Sequence, residues 1–165
     1  MTRVVQEGIK YQASDGWLLL AIILAAAGDR SASLARIVAF GDYMNHAIFT
    51  EAEMNTGLYR LSKGGYIKER KNGFGPTSKA RNKYEAVAQK KSGLHDQMEL
   101  LRLSIGATAW GSVEDGGAAE NEPGYTGFSR ERFSEAVSLA RKLPRRTPRA
   151  KKRARYSVTG EPLVL

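Results

Sequence analysis

Eleven consecutive apolar residues, Trp17 to Ala27, limit what this chain can fold into more than any other feature. The run is apolar nearly all round and is stopped by Gly28. A membrane-spanning helix needs about 20 such residues, so this one reads as a helix buried on every side, with the other elements packed around it. Ser14 or Asp15 can cap its start, which predicts a helix over roughly 16–27. A length of 165 residues leaves room for one compact domain and its extensions.

The elements that must cover this helix follow in order. Gly28 to Ser31 breaks the chain, and Ser33 can cap a second helix to about Asn45, with Leu34, Ile37, Val38 and Met44 on one side. Asn45 to Phe49 reads as a turn. Thr50 and Glu53 then form a capping box, in which each side chain satisfies the other residue's amide at the start of a third helix. Met54, Leu58 and Leu61 recur at i, i+4 and i+7 as its inward stripe. Gly57 lies inside this helix at an intrinsic cost of about 1 kcal/mol against alanine. Gly64 and Gly65 end it. Tyr66 to Arg70 reads as a strand, Lys71 to Gly73 as a turn and Phe74 to Thr77 as the return strand. Ser78 can cap a fourth helix to about Lys90, with Tyr84 and Val87 inward.

Charge is distributed unevenly along this layout. The formal net charge is +9, yet residues 1–49 sum to zero, 50–91 carry +6, 92–140 carry −5, and 141–155 hold nine bases and no acid. Two separate basic segments point to a polyanionic partner more firmly than a diffuse excess would. The chain has no cysteine, which excludes a disulfide framework and thiolate metal sites and suits a reducing compartment. The N-terminus lacks a basic-then-apolar signal segment, so a cytoplasmic location without membrane attachment is expected.

The order helix, helix, turn, helix, two short strands, helix is the layout of a winged helix-turn-helix. The segment from Phe49 to Ile67 resembles the recognition-helix signature of bacterial winged-helix transcriptional regulators such as the MarR and PadR families. In those families a capped helix ends in Leu, two or three polar residues and Gly, and an aliphatic strand opens the wing. The stretch Pro76 to Arg81 is similar to the Leu-Thr-Pro-x-Gly-Arg segment that closes their wing, with Pro and Thr reordered and Ala80 in place of Gly. The resemblance covers about residues 14–91. It implies a mainly helical fold with a small β-wing, binding to specific sequences of double-stranded DNA, and a regulatory role in transcription.

Helical geometry then nominates contact residues. With Met54, Leu58 and Leu61 inward, a step of about 100° per residue puts Ala52, Thr56, Tyr59 and Lys63 on the opposite face, flanked by Asn55 and Arg60. In a major groove, Asn55 suits adenine, Arg60 guanine or a phosphate, and Thr56 or Tyr59 a thymine methyl. Lys68, Arg70 and Lys71 fall on the wing, where the resemblance implies phosphate or minor-groove contact. Lys79, Arg81 and Lys83 are candidates for further phosphate contacts. Glu51 and Glu53, which would repel phosphate, suit the helix dipole and the capping box.

The domain is accordingly expected over 12–91, followed by four further segments. Leu94, Met98, Leu101 and Ile105 form a seam along a helix in 92–105, suited to packing on the domain's own core or to a homodimer contact. Residues 106–127 read as an acidic flexible linker whose odd member, Trp110, either docks on the domain or is solvent-exposed, and 128–143 as an amphipathic helix carrying Phe133, Ala136, Val137 and Ala140. The tail, 144–165, is expected to be disordered when free. Its Arg145, Arg146, Arg149, Lys151, Lys152, Arg153 and Arg155 would bind nucleic acid without sequence preference, or serve only solubility.

No arrangement for catalysis is legible. His46 and His95 lie in different elements, no His-Glu-x-x-His pattern occurs, and the glycine pairs match neither a phosphate-binding loop nor a dinucleotide fingerprint. His46 reads as a turn residue and His95 as a helix-surface residue. The chain is therefore expected to be neither an enzyme nor dependent on a metal or cofactor. The alternative function is a winged-helix adaptor that binds a protein partner while its tail binds nucleic acid.

Overall fold

A computed structural model describes residues 8–91, 93–112 and 122–144. The apolar run forms the central helix α1 (Ala13–Ala25), and every residue in it is buried. It starts three residues earlier than the capping signal implied. The carboxylate of Asp15, in its first turn, accepts the Gln12 amide at 2.8 Å, so Asp15 lies inside the helix rather than before it.

Helix α2 (Leu34–Asn45) is capped by Ser33, whose hydroxyl accepts the Arg36 amide, and it ends at His46 in the left-handed conformation with φ 52°. His46 is thus a turn residue, as expected, and His95 is exposed. Trp17 of α1 donates to the Gly41 carbonyl of α2 at 3.0 Å and stacks on Phe49 with ring centroids 3.7 Å apart. That stack fixes the turn leading into α3 (Glu51–Lys63). The capping box at Thr50 and Glu53 is present, and Met54, Leu58 and Leu61 are fully buried against α1.

Strands β1 (Ile67–Arg70) and β2 (Gly73–Pro76) pair antiparallel across a turn at Lys71 and Asn72, with Ile67 opposite Pro76 and Arg70 opposite Gly73. A third stretch of chain joins them. Ala32, in the loop before α2, exchanges both backbone hydrogen bonds with Phe74 at 2.9 and 3.0 Å. A Cβ at Gly73 or Gly75 would meet the carbonyls of Ala32 or Arg30 at under 2 Å, so only glycine lets the loop lie this close. The molecule is therefore mainly helical with one small antiparallel sheet.

Helix α4 (Ser78–Lys90) is capped by Thr77 rather than Ser78. Helix α5 (Leu94–Ser104) packs on α1 and α4. Its seam residues Met98 and Leu101, with Ile105 just beyond, are buried in the chain's own core. Of the two uses open to that seam, the fold shows the intramolecular one. Helix α6 (Arg130–Ala140) lies along α2, burying Ala136 and half-burying Phe133, Val137 and Ala140.

One expectation needs correcting. The described parts of the 106–127 stretch are docked on the domain. The Thr108 amide bonds the Tyr11 carbonyl, Trp110 sits beside Trp17 and donates to Glu99, and the Tyr125 amide bonds Asn55. Specific hydrogen bonds and ring contacts, invisible in a Gly- and Glu-rich composition, hold these ends in place. Residues 113–121 and the basic tail lie outside the described residues, as do the tail cations nominated above.

Candidate nucleic-acid interface

Helix α3 turns its inward stripe to α1, which leaves the opposite face available to a partner. The observed outer face is centred on Ala52, Asn55, Tyr59, Ser62 and Lys63, with Ala52 and Lys63 exposed and the other three half-buried. Two of the nominated contact residues are not on it. Thr56 is 4% exposed, and its hydroxyl donates back to the Ala52 carbonyl at 2.8 Å. Arg60 is 2% exposed and points away from any groove.

Arg60 faces inward because Asp15 lies beneath it. Its Nε and Nη2 grip the Asp15 carboxylate as a fork at 2.7 and 2.9 Å, and Nη2 also reaches Gln12 Oε1 at 3.4 Å. Burial pushes the Asp15 carboxyl above its ordinary range, while the Arg60 fork and the Gln12 amide pull the other way. Burial also works against the Arg60 charge, but the carboxylates of Asp15 and Glu122 outweigh it and hold its pKa above the usual value. A guanidinium held this way serves the fold, so Arg60 is withdrawn as a base-reading residue. The fixed orientation matters: two planar groups matched edge to edge tie the middle of α3 to the first turn of α1.

Asn55 is on the right face but already engaged. Its side-chain oxygen accepts the Tyr125 amide at 2.7 Å, and its carbonyl accepts the same amide at 3.3 Å. Glu122 meets the remaining Arg60 nitrogen, Nη1, in an ion pair. Arg60 and Asn55 flank α3 on opposite sides of its outer face. Residues 122–125 therefore cross α3 between Arg60 and Asn55. Beyond the crossing, the Tyr125 hydroxyl donates to Glu69 at 3.0 Å and its ring meets Phe74 edge-on at 5.2 Å. Arg130 pairs with Glu51 at 3.6 Å and Arg132 with Glu69 at 3.2 Å. Sequence reasoning missed this crossing entirely.

The cations divide into two groups. On the β1–β2 hairpin Lys68, Arg70 and Lys71 are exposed, and their side chains have no hydrogen-bond or ion-pair partner among the described residues. Strand alternation sends Lys68 and Arg70 to the side away from Glu69. Lys63 donates to the Tyr59 hydroxyl at 3.2 Å and remains exposed. The α4 cations are more occupied. Lys79 caps α3 by donating to the Gly64 carbonyl at 2.8 Å while lying over the Tyr66 ring. Lys83 donates to the Ser104 carbonyl at 2.9 Å, and Arg81 reaches the Asp29 carbonyl at 3.5 Å. These three brace neighbouring elements.

A second concavity lies on the far side of α2. It is a mainly apolar groove of about 620 Å³ between α2 and the end of α6, lined among others by Phe40, Tyr43, Ile48, Val137 and Leu143. Among the described residues no cluster of His, Asp and Glu is placed to hold a metal ion, and no helix is long and apolar enough to cross a membrane. No family model, curated protein or solved structure gives a significant match to the chain.

Proposed function

We propose that the chain is a winged-helix protein that binds double-stranded DNA and acts as a regulator of transcription, with α3 as the groove-reading helix and the β1–β2 hairpin as its wing. The element order carries this reading: α1, α2 and a capped α3, followed at once by a short hairpin whose tip and outer strand bear three cations with no side-chain partner among the described residues. Polyanion binding needs positive side chains free to replace counterions, and Lys68, Arg70, Lys71 and Lys63 meet that requirement. The groove-reading set reduces to Asn55, Tyr59, Ser62 and Lys63, with Ala52 at the approaching end. Lys79, Arg81 and Lys83 remain secondary phosphate contacts, and the basic tail adds affinity without sequence preference.

Selection from a randomised duplex pool by the full chain tests this, in the presence of excess unlabelled nonspecific duplex to mask the tail. A sequence motif is expected to emerge. Reversing Lys68, Arg70 and Lys71 to glutamate should weaken binding at least tenfold and flatten its salt dependence, because each lost phosphate contact removes about one released counterion. Unchanged selection by the reversed variant would refute the role given to the hairpin, and failure of any motif to emerge would refute the duplex-binding reading.

The groove between α2 and α6 favours a second reading, an adaptor that binds a protein partner there. Under that reading the wing variant loses nothing, and all affinity for nucleic acid resides in the tail.

A further inference from the structure

We infer that residues 122–132 form a latch across the outer face of α3, and that duplex DNA binds only when this latch is lifted. The inference rests on the duplex-binding reading above. Its basis is the crossing itself: Glu122 at Arg60, the Tyr125 amide at Asn55 and the Arg130–Glu51 pair hold one strand of chain over the residues that would enter a groove. A small cavity between Tyr59, Ser62 and Lys63 on one side and Tyr125 and Thr126 on the other marks where the two surfaces stand apart. A major groove about 12 Å wide admits a helix but not a helix overlaid by a second strand.

The latch is built to come away without unfolding what lies beneath it. None of residues 122–129 is buried. Its ion pairs to Glu51 and Glu69 are solvent-exposed, the class of contact that adds least to stability. Arg60 keeps its fork with Asp15 when Glu122 leaves, so α3 stays anchored to α1. The Tyr125 amide and the Asn55 side chain are then returned to solvent or to a base edge.

A reversible disulfide tests the inference directly. The 165-residue sequence contains no cysteine, so an introduced pair has no competitor. A Cβ built at Gly124 lies 2.8 Å from Cγ of Asn55, the position a cysteine sulfur would take, which is within disulfide reach. The full-length Asn55→Cys/Gly124→Cys protein is compared oxidised and reduced in the competitor-masked duplex selection. A latch closed in about nine molecules of ten lowers the apparent affinity about tenfold, and a locked latch lowers it further. The oxidised form is therefore expected to lose selective binding, and the reduced form to return to the level of Asn55→Cys alone, which lacks the Asn55 contact in both states. In the cysteine-free background, Glu122→Gln with Tyr125→Ala should bind about tenfold more tightly than the natural sequence; that second variant stands as the test if the cysteine pair does not fold. Equal and measurable selective binding by oxidised and reduced forms, with the hairpin reversal still weakening selection, overturns the latch and leaves the duplex-binding reading intact. Failure of the folded cysteine pair to cross-link overturns the crossing. No selection by any form, the opened variant included, overturns the duplex-binding reading and the latch with it.

Discussion

Two buried arginines bracket the central helix, and each holds down a returning piece of chain. On one side Arg60 of α3 grips Asp15 of α1 and, beyond it, Glu122. On the other side Arg102 of α5, 9% exposed, donates from Nη1 to the carbonyls of Ala107 and Thr108 at 3.1 and 2.9 Å and pairs with Glu99. The residues held by Arg102 are five and six positions away along the chain. Glu122 is 62 positions from Arg60 and is itself partly exposed. A short loop closed onto neutral carbonyls costs little entropy, and only the neighbouring pair with Glu99 exposes its anchor to salt. A distant carboxylate that is itself partly exposed is open to salt and closes a long loop. The same side-chain chemistry thus makes a permanent staple on the α5 side and a releasable contact on the α3 side.

Breaking the Arg60 side should have the largest effect. In Arg60→Met, Asp15 is left with its charge buried and only the Gln12 amide beside it, so the protein should lose about 3–5 kcal/mol in urea denaturation. Adding Asp15→Asn should recover a large part of that loss, because the uncompensated charge is gone. A cost for Arg60→Met below about 1 kcal/mol would mean that the fork adds little to the anchoring of α3.

Tyr11 sharpens the comparison because it touches both sides. Its carbonyl accepts Thr108 from the α5 side, and its ring meets Tyr66 edge-on beside the end of α3. Burial, with smaller contributions from Tyr66 and Asp15, pushes its hydroxyl up to about 12 from 10.0. The folded state therefore holds the phenol proton more tightly than the unfolded chain. The stability this confers is complete below pH 10 and is lost as pH rises from 10 towards 12, by roughly 2–3 kcal/mol at most. Thermal or urea unfolding across that window should show the decline, and Tyr11→Phe should lessen it, the rest coming from Tyr66, Tyr84 and Tyr125, which burial also pushes up.

Arg102→Met should cost less than Arg60→Met, about 1.5–3 kcal/mol, because it orphans carbonyls rather than a buried carboxylate. Its cost should change with salt only by the share of the pair with Glu99, less than about 1 kcal/mol. A marked salt dependence there would erase the distinction between staple and latch.

The sequence carried the scaffold and missed the latch for identifiable reasons. The capping box at Thr50 and Glu53, the double glycine after Lys63, the hairpin turn before Gly73 and the all-round apolar run of α1 each encode their element within a few residues. The inward turn of Arg60 is not local. Helical phase puts it on the flank, and only the carboxylate of Asp15, 45 positions earlier, draws it in. A signal was present in Gly57, where a Cβ would stand 2.8 Å from Leu18 and 2.9 Å from the Asp15 carboxylate. Its cost to the helix is the condition for α1 and α3 to approach closely enough to pair. Gly16 plays the same part on the other side, where a Cβ would stand 2.8 Å from the backbone of Arg102. Residues 122–129 carry too few apolar side chains to announce a docking segment, and so read as linker.

The smallest expected effect is the most telling about the difference between the two sides. Glu122→Gln keeps the size and one hydrogen-bonding oxygen of the side chain while removing the charge that faces Arg60. Because that carboxylate is partly exposed and Arg60 retains Asp15, global stability should fall by less than about 1 kcal/mol. Hydrogen exchange at the Tyr125 amide, which bonds Asn55, should nonetheless speed up well beyond what that loss implies, because the contact opens locally rather than by unfolding. In the natural sequence, added salt should produce the same acceleration, and it should leave the Thr108 amide on the Arg102 side protected. If both amides speed up together, the two sides open as one unit, and the asymmetry between the buried arginines has no dynamic consequence.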